Sequence, residues 1–158
     1  MSRSKILRVL TPATLVLAFV VTGFGQFSTT STVGVGWGAS TPPPELVSTR
    51  PIIGQTTLMF GHNLQPGATC WFAVSPPPVS STHLGHGFHI QTGLDAILYG
   101  PVVSDALGTM FFPVLLDLPP QVAGEKAVLQ VFIQHPSSIP DFIDLEITNG
   151  LNWTFGVQ

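Results

Sequence analysis

The sequence predicts an all-β chain: a single antiparallel β-sandwich, Ig-like or Greek-key, of about seven short strands. Three observations lead there. Short apolar runs rich in β-branched and aromatic residues recur between Pro, Gly and Asn breaks. No window beyond the N-terminal segment repeats apolar residues at helical spacing with caps. Only 8% of the residues are charged, against about a quarter in an average protein. With 44% apolar residues the chain is no candidate for disorder, so Ser, Thr, Asn, Gln and Gly must supply its polar surface.

Residues 1–25 stand apart. Arg3, Lys5 and Arg8 form a basic start, Leu15–Val21 an apolar centre, and Thr22-Gly23-Phe24-Gly25 a small-residue exit. That order describes a secretory signal peptide with cleavage after Gly25. The apolar centre is short for a bilayer span, so removal is expected over anchoring. Residues 26–45 (QFSTTSTVGVGWGASTPPPE) are expected to form a flexible linker ending in the stiff Pro42-Pro43-Pro44 segment, with an edge strand through Val33 and Val35 as the alternative. Residues 46–158 are assigned to the sandwich.

Within that domain the elements follow in order. Thr56–Leu64 alternates around Leu58 and Phe60, and Pro66-Gly67 turns the chain. Thr69–Val74 is the next strand, stopped by Pro76-Pro77-Pro78. Ala96–Tyr99 and Val102–Val103 follow, and Asp105-Ala106-Leu107-Gly108 turns into Thr109–Leu116. Ala127–Gln134 (AVLQVFIQ) is almost continuously apolar, which predicts a central strand. Phe142–Thr148 and Leu151–Val157 flank Asn149-Gly150, a type I′ hairpin signal.

Composition excludes several functions. Once the signal is removed, Arg50 and Lys126 face eight acids, a net charge of −6. Two cations cannot neutralise a run of phosphates, so nucleic acid is excluded as a partner, and an anionic membrane is disfavoured. Cys70 is the only cysteine and lies in the apolar run Thr69–Val74, which predicts a buried thiol and no internal disulfide.

The residues with chemistry in them fall into three groups. His83, His86 and His89 lie in HLGHGFH, and neutral imidazoles bind zinc, copper and nickel. A single strand would hold His83 and His89 about 20 Å apart at about 3.3 Å per residue. A helix would suffer from Gly85 and Gly87. The stretch is therefore expected to be a polar loop, with a metal ion at His83, His86 and His89 as the alternative. Asp141, Asp144 and Glu146 could offer oxygen ligands to calcium, but IPDFIDLEI alternates as an exposed strand face would. Trp37, Trp71, Trp153 and Tyr99 could stack on sugar if exposed together, while core packing is the default for each. No Gly-x-Ser-x-Gly elbow, His-Glu-x-x-His or phosphate loop is present, so no catalytic residue and no cofactor is assigned.

The last third carries a resemblance. Leu129-Gln130-Val131-Phe132-Ile133-Gln134-His135-Pro136, followed by Thr148-Asn149-Gly150-Leu151-Asn152-Trp153-Thr154-Phe155-Gly156, resembles the C-terminal β-sandwich module of large secreted proteins from planctomycete-type bacteria. Pro51-Ile52-Ile53-Gly54, Asn63–Ala68 and Ser104–Gly108 are similar to its opening strand, first turn and central turn, so the likeness spans residues 50–157. His135 stands where the family often has Asp. The resemblance implies a secreted or cell-surface β-sandwich and brings no established activity. The expectation is a non-enzymatic module with a structural, adhesive or sorting role, meeting a cell-surface protein or polysaccharide. A ligand-binding module for a metal ion or a glycan is the alternative.

Overall fold

A computed structural model of the chain describes residues 27–77, 82–83, 89–93, 95–136 and 145–157. In chain order its strands are β1 (Thr29–Val33), β2 (Glu45–Ser48), β3 (Thr56–His62), β4 (Thr69–Ser75), β5 (Thr82–His83) and β6 (His89–Ile90). They continue with β7 (Ile97–Val103), β8 (Met110–Leu115), β9 (Lys126–Gln134), β10 (Leu145–Ile147) and β11 (Gly150–Thr154). One 3-10 turn, Pro120–Val122, separates β8 from β9. Among the described residues no helix is long and apolar enough to cross a membrane.

Two antiparallel sheets form the sandwich. The larger runs β1-β11-β9-β4-β7, with β10 also paired to β9. The smaller runs β2-β3-β8. Strand alternation turns Cys70 and Phe72 of β4, Leu129, Val131 and Ile133 of β9, and Leu151 and Trp153 of β11 into the core. Leu46 of β2, Met59 of β3 and Met110 of β8 meet them from the small sheet. Phe72 and Phe112 stack across the gap with ring centres 4.5 Å apart. Each large apolar side chain buried in this layer contributes about 1.5–3 kcal/mol.

The central strand is β9, as its apolar run predicts. It is buried on both faces because Val128 and Gln130, which point away from the core, are also covered. Residues 89–91, between β4 and β7, meet that outer face and bond to Gln130.

Two expectations are corrected. Part of the expected 26–45 linker is structural. Thr29–Val33 pairs antiparallel with β11, from Thr29 opposite Thr154 to Val33 opposite Gly150. The run TTSTV suits a strand edge, and Thr30 Oγ1 lies 3.2 Å from Ser48 Oγ of the small sheet. Among the described residues the strands number eleven, above the seven or so expected.

The second correction concerns Asn149-Gly150. A type I′ turn needs positive φ at both central residues. Neither Asn149 nor Gly150 has it. Instead β10 and β11 run on along the same neighbour, with Ile147 opposite Phe132 and Leu151 opposite Leu129. Three residues, Thr148 to Gly150, thus face two, Gln130 and Val131, which is a β-bulge in one long strand. Thr148 repairs the broken ladder. Its N–H donates to Val131 O at 3.0 Å, and its Oγ1 accepts from Val131 N at 3.0 Å.

The bulge frees Asn149 to reach the other sheet. Its Oδ1 accepts from Leu46 N at 2.7 Å, and its Nδ2 donates to Leu46 O at 3.0 Å. One side-chain amide therefore does for β2 what a neighbouring strand's backbone would do. Asn149→Leu leaves two buried backbone groups of Leu46 unpaired, at about 1–3 kcal/mol each. Urea denaturation is expected to show that loss as a lower midpoint with an unchanged slope.

Cys70 is fully buried, as expected, with its thiol directed to Ala68 O at 3.8 Å. Burial pushes its pKa from 9.0 up to about 11. The unfolded thiol ionises first, so the stabilising contribution is complete below pH 9 and falls away between pH 9 and about 11. Alkylation with iodoacetamide at pH 8 should be slow in the native protein and fast in urea.

Candidate functional site

The histidine stretch is folded back on itself. β5 and β6 form a separate two-stranded antiparallel sheet in which His83 stands directly opposite His89. Their ring centres lie 4.5 Å apart at an interplanar angle of 35°. The expectation of about 20 Å treated the segment as one extended strand, and the chain reversal removes it. Both imidazoles are exposed. His86 lies outside the described residues. Among the described residues no group of three or more His, Cys, Asp or Glu side chains is placed to hold a metal ion.

This hairpin is not held by its own short ladder. Gln130, fully buried on the outer face of β9, donates from Nε2 to His89 O at 3.2 Å and to Thr148 O at 2.9 Å. Its Oε1 accepts from Gln91 N at 2.9 Å. A second clamp follows, where Ser75 Oγ accepts from Gly93 N at 2.8 Å. The Gln130 amide therefore joins the hairpin to the bulge through one buried group. Sequence reasoning missed it, although a lone Gln inside AVLQVFIQ is a signal, since a buried amide needs partners on its own face.

Of the acidic group, only Glu146 lies among the described residues; Asp141 and Asp144 lie outside them. Glu146 is 1% exposed, not on an exposed face as the alternation suggested. Its carboxylate accepts from Ser40 N at 2.7 Å and Ser40 Oγ at 2.8 Å, with His135 Nε2 at 3.5 Å. The cause of the burial is the segment before β2, where Trp37 exchanges backbone hydrogen bonds of 2.8 Å with Ile147 in both directions. Gly38 packs so closely on Glu146 that a Cβ there would meet the carboxylate at 2.5 Å. His135 in turn is bonded to Gln65.

The remaining polar residues serve turns. Asp105 accepts from Thr109 Oγ1 at 2.6 Å, Thr109 N at 2.9 Å and Leu107 N at 2.8 Å. These bonds, the Thr109 hydroxyl's first, lower its pKa from the ordinary carboxylate value. The aromatic residues are dispersed. Trp153 is buried and donates from Nε1 to Ser48 Oγ at 2.8 Å. Trp71 is partly buried beside Gly100, Trp37 sits against Ile147, and Tyr99 is exposed on β7.

The largest unexpected feature is apolar. Inward-facing Thr57 and Met59 leave Leu58 and Phe60 on the outer face of the small sheet. There Phe60 stands opposite Val47 on one side and Phe111 on the other, and Leu58 stands opposite Pro113. The Phe60 and Phe111 rings lie 5.2 Å apart, Phe111 is 53% exposed, and Leu115 is 65% exposed. A sandwich surface is ordinarily polar outward, so this face departs from the rule. The signal was legible in MFFPVL, where both alternating sets are apolar. β7 adds exposed Ile97, Leu98 and Tyr99 at the edge of the large sheet. Between the sheets lies an apolar cavity of about 530 Å³, lined by Phe72, Phe112, Leu129 and Trp153 and rimmed by Tyr99 and Leu115.

Comparison of the chain with protein-family models, with curated proteins and with solved structures finds no match.

The mounting of the hairpin is open to test. Gln130→Leu should leave Thr148 O and Gln91 N without their partner, destabilising the fold by about 1–3 kcal/mol. Hydrogen exchange at the Gln91 amide should accelerate far more than exchange at Val131, whose amide keeps its Thr148 bond.

Proposed function

We propose that the chain is a non-enzymatic β-sandwich module, secreted or held at a bacterial cell surface, with a structural, adhesive or sorting role. Its likeness to the C-terminal module of planctomycete-type extracellular proteins and its signal-like N-terminus support export. The observation that carries the role is the apolar outer face of the small sheet, built from Val47, Leu58, Phe60, Phe111, Pro113 and Leu115. Large apolar patches on exported proteins are contact surfaces.

The partner we infer is a second copy. The exported chain carries a net charge of −6, so most orientations of two copies repel. This face is the exception. Within the paired strands its ionisable groups are Glu45 and His62, opposite each other at one end, and exposed Asp117 follows Leu115 at the other. A two-fold approach centred on Leu58 and Phe60 leaves these groups towards the rim. The edge of β7 is a poorer candidate for strand addition. Pro101 lacks an N–H to donate, and the register shift between Cys70 and Phe72 kinks the strand pair. Glycan binding has less support, because the tryptophans are spread over separate parts of the fold.

Sedimentation of the exported chain over a range of concentrations is expected to show reversible dimers. Phe111→Lys and Leu115→Lys should each leave a folded monomer, while Leu98→Lys, exposed on β7 of the large sheet, should dimerise like the wild type. A wild-type chain that stays monomeric, or dimers that survive both β8 substitutions, would defeat this reading.

A further inference from the structure

We propose that His83 and His89 form a two-imidazole site for a late divalent transition ion, copper(II) in particular. The inference is independent of the contact face, which lies on the other sheet.

The distance between the rings lets one ion reach both. A metal sits about 2.0–2.1 Å from an imidazole nitrogen, and the ring centre lies about 1.1 Å further back, so ring centre and metal are about 3.2 Å apart. Two imidazoles at a 90° angle on one ion then have centres about 4.5 Å apart, and at the tetrahedral angle about 5.2 Å. The observed 4.5 Å puts both imidazoles within reach of one ion. Imidazole nitrogens suit copper, nickel and zinc alike. Copper(II) stands highest in affinity among the divalent ions of the series.

The surroundings agree with that geometry. Because the rings face each other across paired strands, His83 and His89 are fixed by a backbone register and not by two independent loops. The His89 carbonyl is held at 3.2 Å by Gln130, a buried side chain on the outer face of β9, so the backbone of one ligand is positioned before any ion arrives. Both rings are exposed, which leaves the remaining coordination positions open to water. The net charge of −6 that remains without residues 1–25 draws cations towards the protein.

The test is titration of the exported chain with copper(II) alone, followed by calorimetry and by electron paramagnetic resonance. One ion per chain is expected, with hyperfine splitting from nitrogen ligands. His83→Ala and His89→Ala should each weaken binding by at least about tenfold, since losing even an outer-shell partner costs 10–100-fold. His62→Ala, on the other sheet, should bind as the wild type does. The His83 and His89 variants should melt at the wild-type temperature, because both side chains are exposed. Absence of stoichiometric binding, or unchanged affinity in either variant, would overturn the proposal.

Discussion

The fold depends on the Asn149 amide bonded to both backbone groups of Leu46. Two sheets in a sandwich are usually joined by apolar contact alone, which is non-directional and lets one slide over the other. Here a buried, two-point hydrogen bond fixes where β2 sits against β11. The bulge that frees Asn149 also presents Thr148 O to Gln130, and Gln130 holds the β5–β6 hairpin. Core registry and surface display thus pass through adjacent residues of one strand.

Several other joints share this design. Ser48 Oγ takes the Trp153 indole N–H and meets Thr30, linking β2 to β11 and β1. Ser104 Oγ accepts from Ala68 N at 2.9 Å and donates to Gln65 O at 2.6 Å, closing two loops at one hydroxyl. Glu146 ties down the segment around Ser40. Among the described residues no buried side-chain nitrogen or oxygen lacks a partner. A chain so poor in charge specifies its arrangement with amides and hydroxyls, whose burial costs less than that of an ion.

Much of the architecture was legible in the sequence because strands announce themselves locally. The Pro and Gly breaks bound β3, β4 and β8 closely, and the continuous apolar run of β9 marked the centre of the large sheet. What was not legible depended on partners distant in sequence. TTSTV reads as a linker until β11 offers an edge, and Asn149-Gly150 reads as a turn until Leu46 claims the amide. Glu146 alternates like a surface residue, yet the segment around Gly38 covers it. The histidine pair was hidden for a related reason. Spacing along a chain measures distance only while the chain runs straight, and HLGHGFH reverses.

The pairing of Thr29 with Thr154 has a mechanical consequence. Both ends of the described chain leave from the same end of one strand pair, with the short Ile52–Gly156 bridge just beyond it. Tension drawn between those ends does not load the β1–β11 ladder in shear, where every hydrogen bond resists at once. It opens the ladder as a zipper, one bond at a time. Under force β1 peels away early, while the Asn149 joint behind it still holds the two sheets together.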